Sequence, residues 1–295
     1  MVIPGLGHLF GDSPAMEDNA GMSNDRPVLR FWGVRGSVPT PGLGTVKVGG
    51  NTSCVELQAG GKRVIFDAGT GLRALGASLL GQKTVELTLL LSHYHWDHLL
   101  GLPFFAPLFS PNTTLHIYGE AKKGGGPREA LKRQFASPHF PVDFAALPST
   151  LNFHSIHDGD AFRTGRVSVK VGRLNHPQDA VGYRVTVDGK TVVYASDHEH
   201  DGHGDKALVK FCRNADVLIY DAMFTDESYQ GGKKGWGHST WQEAARVAQA
   251  AGVKTLVLFH HDPTHDDRRM LQIERALQKV FKGGLVAREG MQLQL

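Results

Sequence analysis

The chain has 295 residues, enough for one large α/β domain or two small ones, and its 41% hydrophobic and 21% charged content excludes disordered, fibrous and membrane-spanning classes. Thirty-two basic against 29 acidic side chains leave a formal charge of +3, too even to argue for a nucleic-acid surface from charge alone. Only Cys54 and Cys212 carry thiols, which excludes a disulfide framework and a cysteine-built zinc site, whereas there are 16 histidines, the side chain that titrates near neutrality and most often ligates metals.

Residues 1–26 mix Gly, Pro, Asn, Asp and Met without a period and hold no apolar run of secretory-signal length. A loose leader is expected there, followed by a single domain over residues 27–295. No window approaches ~18 uninterrupted apolar residues, so a cytoplasmic protein without membrane contact is expected. Strands are predicted at 29–34, 53–57, 63–67, 85–91, 114–118, 167–171, 181–187, 191–196, 217–220 and 255–259, and helices at 72–80, 127–135, 206–213, 240–251 and 268–281. Asp188-Gly189 between two of these strands is a tight-hairpin signal. Hairpins in both halves with helices between them fit an α/β (α+β) fold of two sheets covered by helices better than one doubly wound sheet.

The segment Leu89-Leu-Leu-Ser-His93-Tyr-His95-Trp-Asp97-His98 places four potential ligands within six residues at the end of an apolar strand. On extended backbone His93 and His95 leave the same face, and Asp97 and His98 follow where the chain turns. Three imidazoles and a carboxylate packed this closely are poorly solvated without a cation and suit a pair of divalent metals with N and O ligands.

His93-x-His95-x-Asp97-His98 resembles the signature of the metallo-β-lactamase superfamily, and the resemblance extends from Phe31 to Phe281. It implies a four-layer αββα sandwich. His176 looks like the third histidine of the family's first metal site, Asp197 like the bridging carboxylate and His260 like the histidine of the second site. By that resemblance His93, His95 and His176 hold one ion, Asp97, His98 and His260 the other, and Asp197 spans both. All three later residues follow apolar strands, where ligands from distant sequence converge on one rim. Alternation sends His260 and His261 to opposite faces; the family pattern favours His260.

Gly237-His238-Ser239-Thr240, opening a helix, and Asp221, ending a strand, resemble the phosphodiesterase branch that includes tRNase Z and bacterial cyclic-nucleotide and phosphonate-pathway phosphodiesterases. There a histidine at the place of His238 is held by a carboxylate at the place of Asp221, usually glutamate in tRNase Z and one methylene shorter here. The resemblance implies that His238 protonates the leaving alkoxide, a role typically worth ~10²- to 10⁴-fold in rate, and that Asp221 keeps it charged; Asp97 is counted with them as catalytic. Phe31-Trp-Gly33-Val-Arg-Gly36-Ser-Val-Pro39-Thr40 and Gly49-Gly50-Asn51-Thr52-Ser53 resemble the branch's opening glycine loop and the segment after it. Asp67 is expected to hydrogen-bond a ligand rather than be one.

A tRNA-processing member should carry a protruding arm between the third histidine and the bridging aspartate, but only about twenty residues separate His176 from Asp197. The expected activity is therefore a dinuclear metal-dependent phosphodiesterase acting on a small phosphodiester such as a cyclic nucleotide. The alternatives are a tRNase Z-like RNA 3′-end endonuclease, with nucleic acid disfavoured as a partner, and a metal-bearing binding module without turnover. Zn²⁺ is the default metal pair, with Mn²⁺ or Fe suited to the same ligands, and homodimers are common among relatives. Lys122, Lys123, Arg128, Lys132 and Arg133 read as a solvated helix face. The apolar run 102–109 and Trp236 are candidates to wall a base pocket, and 197–203 reads as a surface loop in which His198 or Glu199 touches the ligands.

Overall fold

The computed structural model describes residues 26–295; apart from Arg26, the expected leader lies outside them. Apolar runs pair into two seven-stranded mixed sheets. The first holds β1 (Val28–Gly33), β2 (Cys54–Ala59), β3 (Lys62–Phe66), β4 (Val85–Leu90), β5 (Thr113–Glu120) and β6 (Thr150–Ile156) in sequential order, with the last strand, β14 (Gln292–Gln294), added beside β1. The second holds β7 (Ala161–Thr164), β8 (Val167–Leu174), β9 (Ala180–Val187), β10 (Lys190–Ala195), β11 (Val217–Asp221), β12 (Thr255–Phe259) and β13 (Gly284–Val286), also in sequential order.

Each sheet is antiparallel at one end and parallel at the other: β3 to β6 run parallel in the first, β10 to β13 in the second. The central parallel strands of the second sheet are covered on both faces, and β11 and most of β12 are accordingly unbroken buried runs, while antiparallel β8 alternates buried and accessible residues. The β9–β10 turn has Asp188 and Gly189 at φ of 51° and 74°, the two positive angles that the Asp-Gly signal predicts.

The core between the sheets is built from inward side chains such as Phe31, Phe66, Tyr183, Tyr194 and Phe259, with Phe66 stacked on Tyr194 at 5.0 Å between centroids. A second core lies on the outer face of the first sheet, under α1 (Gly71–Ser78) and α2 (Pro127–Gln134). On the second sheet α3 (Lys206–Cys212) packs on β8, and the one-turn α4 (Asp226–Ser228) leads into the segment before α5 (Trp241–Ala251). α5 packs on β11 and β12, and α6 (Asp267–Val280) packs on β13. The result is the expected αββα layering.

Every predicted strand and helix is present, with ends displaced by at most three residues. Four strands were not predicted: β6 and β7 are mostly half-exposed or exposed along their length, and β13 and β14 are three residues long. Edge strands of this kind lack the buried face that produces a readable apolar period. Both thiols are buried and unpaired. Among the described residues no helix is long and apolar enough to cross a membrane.

The packing makes a stability prediction. Leu258, wholly buried in β12, contrasts with Leu80, which is 58% exposed. Leu258→Ala should cost about 2–5 kcal/mol and Leu80→Ala less than about 0.5 kcal/mol, read as shifts in the urea midpoint at unchanged slope.

Candidate metal centre

The strands running in one direction end on one rim. Asp67 follows β3, His93 and His95 follow β4, His176 follows β8, Asp197 follows β10, Asp221 ends β11 and His260 follows β12. Beyond β4 the chain stays extended to His95 and then tightens into a short 3₁₀ turn, Trp96–His98, which turns Asp97 and His98 inward while Trp96 faces out. Asp67 and His260 take φ of 59° and 56°, a left-handed conformation costly for non-glycine residues and concentrated at functional sites.

Three overlapping groups of ligand atoms result, one of them, Asp197, Asp221, His238 and His260, joining the His238–Asp221 pair to the other two. His93, His95, His176 and Asp197 form one, and Asp97, His98, Asp197 and His260 the other, each with its ligand atoms within 4.8 Å of one another. Asp197 belongs to all three: its Oδ2 lies 3.7 Å from His93 Nε2 and 3.6 Å from His176 Nε2, and its Oδ1 lies 3.2 Å from Nε2 of both His98 and His260. Asp97 Oδ2 lies 3.1 Å from His260 Nε2. His261 is excluded from the rim: its Nε2 donates to the Ala287 carbonyl at 2.9 Å, and burial lowers its pKa to about 3.

The outward nitrogens of four histidines are fixed by acceptors. His93 Nδ1 donates to Ser92 Oγ at 3.0 Å, Ser92 Oγ having given its own proton to Asp67 Oδ2. His95 Nε2 donates to Gln178 Oε1, His98 Nδ1 to Asp67 Oδ2, and His176 Nδ1 to the Gly237 carbonyl. In each imidazole the remaining nitrogen then presents a lone pair to the rim, an arrangement typical of metal-bound histidine. His95 Nδ1 and His176 Nε2 face each other at 3.2 Å with both protons already placed elsewhere, so the contact is two converging lone pairs. His93 Nε2 and His98 Nε2 are buried without a hydrogen-bond partner. This donor set, imidazole nitrogens and carboxylate oxygens with no thiolate, fits two divalent cations.

The electrostatics of the side chains by themselves divide: burial opposes a charge on His98, but Asp197, Asp97 and Asp67 raise it well above its ordinary value, so that a proton on His98 stands where a cation would, while the other groups shift as a metal centre needs. Burial alone would raise the Asp197 carboxyl, but His260, His98 and His93 hold it well below the usual carboxylate range. Asp97 behaves alike, with burial outweighed by His98 and His260. Burial and the charge of His98 push His93 well below its ordinary value, the neutral state a ligand needs.

His238 stands beside the centre, 3.9 Å from Asp197 by its Nδ1, and that nitrogen donates to Asp221 Oδ2 at 2.8 Å. The shorter aspartate therefore makes the contact. Asp221 is wholly buried and also accepts from the amides of His198 and Met223. Burial opposes the charged imidazole of His238, but the field and hydrogen bond of Asp221 outweigh it and raise the pKa to about 9.

The expected glycine loop closes one side. A Cβ on Gly36 would lie 2.4 Å from the His260 ring, and the next amide, of Ser37, donates to Asp97 Oδ2 at 2.8 Å. Buried Arg35 ties this loop to the carbonyl of Gly49 and clamps it to the segment after His260 through the carbonyls of Asp262 and His265. Asp67 enters none of the three ligand groups and serves His98 and Ser92 by hydrogen bonds. The 197–203 segment departs from expectation: residues 197–199 are buried, and only 201–203 are exposed. The reason is Glu199, whose carboxylate accepts from Tyr229 Oη and from the amides of Gly235 and Gly237. Glu199 thus fixes the peptide that braces His176 and precedes His238. Gln178 and the Gly237 carbonyl were not anticipated; partners chosen by tertiary proximity carry no local sequence signal.

A family model described as a β-lactamase superfamily domain matches residues 62–261. The chain is 26% identical to ribonuclease Z of Archaeoglobus fulgidus, with 90% of this chain and 97% of that protein covered. It is 27% identical to ribonuclease Z of Geobacillus kaustophilus, with 78% and 89% covered. Among solved structures, the metallo-β-lactamase fold protein YhfI of Bacillus subtilis superposes with a TM-score of 0.68 at 22% identity, covering 92% of this chain and all of that one. The short form of human tRNase Z superposes with a TM-score of 0.63 at 23% identity, covering 90% and 98%; at such identities these likenesses speak for the fold. The chain belongs to the metallo-β-lactamase superfamily and is a metal-dependent hydrolase.

Proposed function

We propose that the protein is a dinuclear phosphodiesterase that cleaves RNA. His93, His95 and His176 would hold one divalent ion, Asp97, His98 and His260 the other, and Asp197 both, with zinc the expected metal. The observation that carries the reading is the His238–Asp221 pair set against this ligand cluster. Bound divalent ions would supply Lewis acidity, lowering the pKa of water and neutralising charge on phosphoryl oxygens. The scissile phosphate would occupy the cavity of about 460 Å³ lined by Ser37, Asp97, Asp197 and His238. His238 keeps one proton on Nδ1 for Asp221, so the proton delivered to the leaving oxygen comes from Nε2. Asp221 stabilises the imidazolium beforehand and holds the ring in place, as a fixed carboxylate does for a general acid.

RNA is favoured over the small diester by the relatives, several of which are named ribonuclease Z. One feature separates this chain from them. The alignment with the Archaeoglobus protein spans 326 positions and takes in 90% of this chain, about 266 of its 295 residues, so about 60 positions of that relative have no counterpart here. The connection from His176 to Asp197 is the single β9–β10 hairpin, which supports a second reading, a free cyclic nucleotide as substrate. A turnover panel of precursor tRNA, short oligoribonucleotides and 2′,3′- and 3′,5′-cyclic nucleotides decides between them; no turnover of any phosphodiester by metal-replete protein would remove both.

Chelator-treated protein titrated with zinc in a calorimeter should take up two equivalents. His260→Ala should lose one of them while His261→Ala keeps both; a capacity near one in the unmodified chain would end the dinuclear reading. His238→Ala should slow cleavage of a ribonucleotide diester by ~10²- to 10⁴-fold. The loss on bis(p-nitrophenyl) phosphate, whose leaving group departs without a proton, should be far smaller, and equal losses on the two substrates would take the acid role from His238.

A further inference from the structure

The cavity over the centre adjoins a larger one of about 1010 Å³, and the two share Tyr94, His95, Trp96 and Gln178. That volume sits at the upper end of the ~300–1,000 Å³ of ordinary small-molecule sites and is far more than a phosphate needs. Trp96, between His95 and Asp97 in the chain, is 77% exposed at the junction of the two cavities. On the same wall Phe104 is 53% exposed and meets the edge of Phe140, centroids 5.9 Å apart. Most of the 102–109 run is core, including Leu102, Phe105 and Leu108; Phe104 is the ring left out of it. Large rings held in water beside a reactive centre mark a place where a flat apolar group is received.

The cations around this cavity differ in state. Lys122 donates to Glu120 and to the carbonyls of Gln178 and Asp179, so it holds the wall together. Lys123 and Arg133 line the same cavity and form no ion pair among the described residues; Arg133 donates to the Gly124 carbonyl, which fixes the loop that presents Lys123. Arg128, by contrast, lies over the Phe153 ring, and Lys132 is solvent-exposed outside this cavity. Aromatic faces together with unneutralised cations form the combination that binds single-stranded nucleic acid, the rings stacking bases and the cations following the backbone.

We propose that the larger cavity seats the nucleotides next to the scissile phosphate, with Trp96 stacking a base and Lys123 and Arg133 meeting the next phosphate, so that the enzyme acts on a single-stranded stretch of RNA. This rests on the phosphodiesterase reading above. It locates the grip on the body of the domain, in a chain that lacks about 60 positions of its Archaeoglobus relative.

The test uses zinc-loaded protein on oligouridylates of two, four and six nucleotides, with bis(p-nitrophenyl) phosphate as a substrate that has no base. For the unmodified protein kcat/KM should rise at least about 5-fold from the dinucleotide to the hexanucleotide. Trp96→Ala should lower the ratio of hexanucleotide to aryl-diester kcat/KM by about 5- to 50-fold, mainly through KM, and Trp96→Phe should recover most of it. Because Trp96 neighbours two candidate ligands, metal content is measured alongside, and Phe104→Ala, which touches none of them, carries the same expectation. Lys123→Ala with Arg133→Ala should flatten the salt dependence of hexanucleotide KM by about 0.7 log units per log of salt for each lost phosphate contact. Aryl-diester turnover without any gain with length, or parallel losses on both substrates at full metal content, would overturn this proposal alone. Absence of all phosphodiester turnover would overturn it together with the reading beneath it.

Discussion

The carboxylate of Asp67 is the interaction on which the centre depends. It is wholly buried at the end of β3 and accepts four hydrogen bonds, from the Ser92 amide at 2.7 Å, the Ser92 hydroxyl at 2.8 Å, His98 Nδ1 at 2.7 Å and the Tyr194 hydroxyl at 2.8 Å. Ser92 immediately precedes His93, and Tyr194 lies on β10, three residues before Asp197. One side chain therefore joins the ends of β3 and β4 in the first sheet to β10 in the second and decides which nitrogen of His98 faces inward. A carboxylate removed from water to this degree is tolerated only when its lone pairs are taken. Its partners are His98 itself, Ser92 just before His93, and Tyr194 three residues before Asp197.

The two-sheet topology makes this economy of contacts workable. Parallel β3 and β4, and β10 to β12, end on the same rim because neighbouring parallel strands share a direction, and β8 joins them by running antiparallel to β9, which itself runs antiparallel to β10. Seven candidate ligands separated by up to 167 positions in sequence (His93 to His260) thus meet without a long loop. Four carboxylates, those of Asp67, Asp97, Asp197 and Asp221, are buried around the rim, a concentration of negative charge that bound divalent ions would offset.

The sequence was most informative where local chemistry and strand position coincide. The His93 to His98 cluster could be read from spacing alone, and the central strands from unbroken apolar runs. His176, Asp197 and His260 are single residues whose meaning came from the order in which they follow strands and from family resemblance. The 197–203 segment reads in sequence as a surface loop from which His198 or Glu199 touches the ligands; Glu199 reaches His176 only through the Gly237 peptide, and its burial is caused by Tyr229 and two amides thirty or more positions away. Gln178 was likewise silent, since an exposed glutamine at a turn gives no hint that it orients His95. The edge strands β6 and β7 escaped notice because neither presents one dry face.

The Gly237 peptide links two events that a reaction scheme would draw separately. Its N–H is held by Glu199, its carbonyl receives the proton of His176 Nδ1, and the next residue is His238. A Cβ at this position would lie 2.4 Å from His176 Nδ1, so the contact has no slack. Any change in the length of the preceding Lys233 to Trp236 segment is transmitted at once to His176 and to His238. For protein engineering this makes the segment a site for exchanging side chains, Trp236 among them, and a poor site for grafting a peptide.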